Sequence, residues 1–490
     1  MAATSTDDPY ALDELAIQEP PKSLWSALAQ IGPGIILAGS IIGSGELLLT
    51  TGLGAKYGFV FLGLILLSCV IKVFVQVELG RYAISSGMPT LTAFDSIPGP
   101  RLGAHWLAWW WLVMMSATIF QVGGMAGGVG QAINMVFPEV SIWLTKSLSA
   151  SWPALSEVIA KRPEHPWAVV TSLAAVLLLA SGGYKRIEVI TTFLVAGVTL
   201  VTVICVAMLP GTGYPVRMDD LRDGFSLRVL QVLRDNKLAV AAAFGAFGIT
   251  GVGASELYAY PYWCLEKGYA RFTGPRSSDP SWAERAKGWL RVMYLDAWVS
   301  MVVFTLATVA FYVMGATILN RQGLHPEKSK MIETLSQMYI PTFGAWTKNF
   351  FLIAVWAVLF KTMYVSSASN GRLLADFMSL TRTVKYTKPG QRQRWVVRFS
   401  CMLPLIGLML YLAYGDPNLM VIIGGFFQAA TLPIIAGATL YLRYFRTDKR
   451  LAPSIWSDIL LWIAFLTIAA VSLYAIPQWT ANTFWPDVKK

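Results

Sequence analysis

The sequence predicts an all-α integral membrane protein of 11 transmembrane helices, built as an inverted 5+5 repeat whose first and sixth helices are broken. Three observations predict it. Of 490 residues, 55% are hydrophobic and only 14% charged, whereas soluble domains run near a quarter charged. Apolar stretches of roughly 20 residues, the length that crosses a bilayer, recur from one end of the chain to the other. Two of them, five spans apart, are interrupted by glycine just before a Glu-Leu pair: GSGEL at Gly43–Leu47 and GASEL at Gly253–Leu257.

Taken in order, residues 1–26 are polar and acidic and predict a mobile cytoplasmic tail rather than a cleavable signal. Spans are expected near 27–56, 58–82, 107–136, 166–183 and 187–209, which form the first repeat (27–209). The second repeat (210–443) holds spans near 237–265, 292–319, 347–369, 396–414 and 419–443 with their linking loops. Residues 444–490 supply an eleventh span near 455–477 and a C-terminal tail. The turn GYKRIE (Gly183–Glu188) is all that separates the fourth and fifth spans.

Lys and Arg total 39 against 28 acids, for a formal charge of +11. The basic residues lie in short connectors, which fits membrane topology and speaks against a nucleic-acid partner. With the N-terminus inside, 22 of the 39 fall on the inner side and 15 outside. The positive-inside rule therefore favours a cytoplasmic N-terminus and an external C-terminus, in a bacterial-type plasma membrane.

Catalysis has no support in the sequence. Cys69, Cys205, Cys264 and Cys401 are far apart and read as small buried hydrophobes. His105, His165 and His325 are isolated, and no HExxH or Walker-type string exists. The expectation is a protein that is not an enzyme and has no cofactor.

The two breaks carry the functional reading. An interrupted helix at mid-membrane frees backbone N–H and C=O groups that lipid cannot satisfy, so the gap must line a cavity or bind something. Paired interruptions in corresponding spans point to a secondary transporter with its site between them. Gly45 and Gly251 are the expected hinges; Glu46 and Glu256 sit where each second half-helix begins. An acid there can simply answer the helix dipole and cap free N–H groups. Two such acids at equivalent points make a substrate role the stronger reading, because charge within a membrane usually marks a pathway. By contrast, GGMAGGVG (Gly123–Gly130) in span three reads as close helix packing.

From about Gly32 to Leu442 the chain resembles the Nramp (natural-resistance-associated macrophage protein) family of divalent-metal transporters. The resemblance rests on an ordered series of strings: GPG at Gly32–Gly34, QVELGRYAISSG at Gln76–Gly87, and GYKRIE at Gly183–Glu188. It continues in ELYAY after Ser255, in Arg398 and Pro404 six apart, and in TLP at Thr431–Pro433. It implies transport by alternating access, with one bundle (spans one, two, six and seven) rocking against the rest.

The metal-binding motifs of that family are absent. Where the first break of the family reads Asp-Pro-Gly-Asn, this chain has Gly43-Ser44-Gly45-Glu46; where the sixth reads Met-Pro-His, it has Gly253-Ala254-Ser255. Acidic positions of the third span fall on Met115, Val122 and Met125, and a glutamine of the eighth span on Lys361. Two glutamates without a thioether make an oxygen-only site, which suits a hard, Mg²⁺-like cation.

The expected substrate-binding set is Glu46, Glu256, Gly43, Ser44, Gly253 and Ser255, with Glu46 and Glu256 as metal ligands. Lys361, Gln428 and Asn370 are candidates for coupling or gating, and protons for the coupling ion. An ammonium of Lys361 facing the site would oppose a dication and favour a zwitterionic or cationic organic solute, an amine or amino acid, as the alternative cargo. A channel or sensor is the further alternative. Lys72 is expected in an internal ion pair or water contact, and Glu78, Arg81 and Asp296 in a cluster at the inner end.

Overall fold

The computed structural model describes residues 10, 12, 14–181, 185–326, 330–388 and 390–484, with the backbone alone at 35, 37, 40, 185–191 and 480–484. The turn Gly183–Glu188 and most of residues 1–13 therefore lie outside the described side chains.

Apart from a two-residue ladder, Arg101–Leu102 with Ala104–His105, the described residues are helical or in connectors. Nine helices among them are long and apolar enough to cross a membrane. They are Leu62–Ser86, Trp106–Val136, Lys185–Met208, the pair Lys237–Ile249 with Ala254–Lys267, Pro280–Met314, Thr347–Leu380, Gln391–Tyr414, Pro417–Phe445 and Ile455–Phe484. In chain order these are the second, third, fifth to eleventh spans. The fourth, His165–Ser181, follows Pro153–Lys161 after a bend of 92°. The first comes in three pieces: Pro33–Ile41, Ser44–Thr50 and Thr51–Tyr57.

Several helices outrun their apolar windows. The seventh begins at Pro280, where Asp279 accepts the Ser281 amide, and adds about three turns ahead of its hydrophobic core. Hydropathy marks the part of a helix that meets lipid and is blind to polar turns beyond it.

Span three is the packing centre. A methyl added at Gly123 would strike the Gly407 carbonyl of span nine; at Gly124 it would meet Pro417 and Val421 of span ten, and at Gly128 Leu359 of span eight. The glycine run brings these helices into backbone contact, as small residues do in membranes.

Polar bonds tie spans one, two, six and seven together. Asp296 of span seven accepts the Gly32 and Gly34 amides at 2.9 and 2.5 Å, satisfying the N-terminal turn of span one. Tyr260 of span six donates to the same carboxylate at 3.3 Å. Asp296 thus stands apart from the Glu78–Arg81 pair (2.9 Å) with which the sequence grouped it. Ahead of span one, Gln18 pairs with the Phe272 carbonyl and with the Trp289 indole, and Tyr10 lies under the Arg392 guanidinium.

Candidate functional site

The break in span one falls at Ile42–Gly43, one residue earlier than the glycines suggest, and the chain re-enters helix at Ser44 as a wide, π-type turn. Thr50 and Thr51 hydroxyls donate back to the Gly45 and Glu46 carbonyls at 2.9 and 3.1 Å, covering acceptors that the wider winding frees. In span six the break spans Thr250–Gly253, with Gly251 at φ +65°, and helix resumes at Ala254. Glu46 and Glu256 therefore occupy the same register, the third residue of each second half-helix.

The breaks touch. Glu46, wholly buried, accepts the Gly251 amide at 3.2 Å and the Thr308 hydroxyl of span seven at 3.3 Å through Oε1. Its Oε2 has no hydrogen-bond partner among the described residues. Thr50 and Thr250 hydroxyls meet at 3.2 Å.

Beside this junction lies a small cavity of about 10 Å³, room for about one water-sized centre. Its polar wall is Ser44, Thr118, Gln121, Ser255, Glu256, Thr362, Ser366 and Gln428, with Ile41, Gly45, Met125 and Ile249 completing it. Glu256 faces the cavity; Glu46 lies behind it, on the opposite break. The expectation of two carboxylates in one pocket thus resolves into one carboxylate in the pocket and one joining the broken helices.

Gln121 of span three donates to Ser44 Oγ at 2.8 Å and accepts from Gln428 Nε2 at 2.8 Å; Gln428 Oε1 accepts the Ser255 amide at 3.1 Å. This chain of three bonds runs from one break to the other by way of spans three and ten. Ser255 Oγ has no partner among the described residues. A Cβ at Gly253 would fall on Glu256 Oε2 and Gln428 Oε1 and push both side-chain ends aside. Gly43 similarly gives way to Thr362 of span eight.

Lys361 turns away from the cavity. Its ammonium donates to Thr192 of span five at 2.8 Å and lies against Gly39, while its neighbour Thr362 lines the wall. Asn370 lies one turn beyond the wall residue Ser366, whose carbonyl it bonds at 2.9 Å. Lys72 forms no ion pair among the described residues. Its ammonium donates to the Phe247 carbonyl at 2.8 Å and to that of Thr250, at the C-terminal end of the first half of span six, where a cation is favoured.

Sequence reasoning missed Gln121, Thr118, Thr362 and Ser366. Each is a lone polar residue in an apolar helix, and the facing period of spans three and eight was the available signal. Met125, from span three, returns a thioether to the wall. Among the described residues no three of His, Cys, Asp and Glu gather closely enough to hold a metal ion unaided.

Residues 34–478 match the family model described as natural resistance-associated macrophage protein-like. The divalent metal cation transporter MntH of Latilactobacillus sakei is 20% identical over 464 residues, 93% of this chain and 90% of that protein. MntH of Listeria monocytogenes is 21% identical over 471 residues, 95% and 93% of the two chains. Among solved structures, the Eremococcus coleocola manganese transporter in complex with an aromatic bis-isothiourea substituted compound superposes with a TM-score of 0.61. It is 16% identical, and the match covers 96% of this chain and 91% of that one. MhsT in complex with L-phenylalanine gives a TM-score of 0.56 at 15% identity, covering 94% and 100%. The two structural likenesses show a shared fold over nearly the whole chain.

Proposed function

The chain belongs to the natural-resistance-associated macrophage protein family of multi-pass membrane transporters, and from that premise we propose that it carries a divalent cation by alternating access through the cavity at Glu256. The observation that carries the reading is the cavity wall itself: one carboxylate, flanked by Ser44, Ser255, Gln121 and Gln428 oxygens, between two broken helices. Oxygen donors of this kind suit a hard, Mg²⁺-like cation that keeps part of its water. The relatives named for divalent metal cations support the cargo class.

Charge supports it too. With Lys361 bonded to Thr192, the ammonium that would oppose a dication points elsewhere, so an amine or amino-acid cargo is not favoured. Glu46 joins the two breaks behind the cavity, and Lys72 ties span two to the second of them. Protons compete for Glu256 and are the coupling ion in this reading, with the N-terminus inside and the C-terminus outside.

The moving parts follow from the bonds. Spans one, two, six and seven are cross-linked by Asp296, Lys72 and Glu46 and move as one body. Gln121 and Gln428 stand on the other body, and their bonds to Ser44 and to the Ser255 amide cross the gap. Opening on either side breaks those two bonds, and a cation bridging Glu256 to both glutamines favours the closed form.

Competition among Mg²⁺, Mn²⁺ and Ca²⁺ for uptake into proteoliposomes, with wild type and Met125→Leu, tests the selectivity. Mg²⁺ is expected to be taken up by both proteins alike. Loss of Mn²⁺ uptake in Met125→Leu, with Mg²⁺ never transported, would instead assign a soft site built on the thioether.

A further inference from the structure

At the end of the bundle that carries the N-terminal segment, a cavity of about 330 Å³ opens between spans two, seven and eleven. Its charged wall residues are Arg81, Lys287 and Arg291, and no acid lines it among the described residues; Ser454 and Ser457 complete its polar edge. Lys287 and Arg291 are exposed and four residues apart, on one face of span seven. Neither forms an ion pair among the described residues.

Arg81 is the unusual member. Only 3% exposed, it gives Nε to Glu78 at 2.9 Å and one Nη to the Leu451 carbonyl at 2.6 Å, and lies over the Tyr294 ring. Its other Nη has no hydrogen-bond partner among the described residues. A buried guanidinium with a spare donor is costly unless an acceptor reaches it. Ser454 and Ser457 lie at the N-terminus of the 30-residue helix Ile455–Phe484, whose dipole attracts an anion; the Ser454 hydroxyl accepts the Ser457 amide at 3.4 Å, and Asp458 of the first turn is paired with Arg443 at 2.8 Å. Ile455 and Trp456, next in the chain, are exposed apolar side chains of the kind that lie at a lipid interface.

We infer that this cavity binds the phosphate of an anionic phospholipid headgroup. Three cationic groups and a helix N-terminus converge on one opening at membrane level, and basic pockets between helices are where acidic headgroups lodge. The bound phosphate joins spans two and seven, which belong to the moving body, to span eleven, which stands outside the repeat. Occupancy therefore fixes this end of that body against its neighbour. The inference needs neither the cargo nor the orientation assigned above.

The test uses the full-length purified protein with phosphatidylglycerol, phosphatidylcholine and inorganic phosphate as probes, read by native mass spectrometry and by thermal unfolding in detergent. Phosphatidylglycerol is expected to bind and stabilise the wild type where phosphatidylcholine does not. The double variant Lys287→Gln, Arg291→Gln, which touches only exposed side chains, is expected to lose about tenfold or more in phosphatidylglycerol affinity at unchanged lipid-free melting temperature. Equal binding of phosphatidylglycerol by variant and wild type would overturn the site. Stabilisation by inorganic phosphate equal to that by phosphatidylglycerol would overturn the lipid assignment in favour of a free anion.

Discussion

The carboxylate of Glu46, in the first broken helix, accepts the backbone amide of Gly251, in the second, at 3.2 Å. An acid that could have capped its own half-helix is used to join the two interruptions, with Thr308 of span seven as a further donor. The free amide of a left-handed glycine would otherwise stand buried without a partner. Glu46→Ala is expected to cost about 1–3 kcal/mol, the range for orphaning a buried donor, and to lower uptake. Glu46→Gln, which keeps an acceptor in place, is expected to recover most of the stability. Thermal unfolding of both variants beside uptake checks this.

Gly251 and Gly253 fail for different reasons when changed. Gly251 sits at φ +65° with the Cys69 backbone close by, so Gly251→Ala is expected to destabilise by about 1–2 kcal/mol. Gly253 has ordinary backbone angles, but a Cβ there meets Glu256 and Gln428. Gly253→Ala is expected to melt within a few degrees of wild type and to lose most transport, a separation read from melting curves and initial uptake rates.

The relay Ser44–Gln121–Gln428–Ser255 bounds the cavity through spans three and ten. Gln121→Leu breaks two of its three bonds at once. Cysteine-accessibility labelling of the cavity wall is expected to rise in this variant, and cation affinity to fall roughly tenfold, the equivalent of about one buried hydrogen bond to a charged ligand. Labelling identical to wild type would show that the relay does not hold the closed form.

How much of this could be read from the chain differs from residue to residue. The broken spans were legible because glycine and a carboxylate are conspicuous against leucine, and their five-span spacing carried the fold. The partners of those residues were not. Glu46 and Glu256 share a register, yet one turns to Gly251 and the other to the cavity, and that choice is made by span seven, which supplies Thr308. Lys361 matched a site position by alignment of strings, but one step along a helix turns a side chain by about 100°, and Thr362 took the wall. Lys72 bonds two carbonyls, of Phe247 and Thr250, that are free acceptors because span six breaks there, and the apolar run around Lys72 gave no sign of that break.

Outside the membrane, Asp448 is pulled down to about 2, first by its hydrogen bonds to Arg450 and further by Arg276. A carboxyl lowered in the folded state binds its proton less readily than in the unfolded chain, where it titrates near pH ~3.9. Its contribution to stability is therefore complete above about pH 4 and falls away as the pH drops toward 2. The stability gap between wild type and Asp448→Asn is expected to be constant from neutral pH to about pH 5 and to shrink below pH 4. Denaturation of both proteins across that range checks the sign.

The measurement that bears most directly on the account is divalent-cation uptake by the purified protein in liposomes, with Glu256→Gln beside wild type and Gly253→Ala. The account predicts saturable Mg²⁺ uptake by wild type and a loss of about a hundredfold or more in Glu256→Gln, as expected where a cavity's one carboxylate ligand is neutralised, with unchanged melting. Undiminished uptake in Glu256→Gln, or uptake of an organic solute with none of any divalent cation, would contradict it.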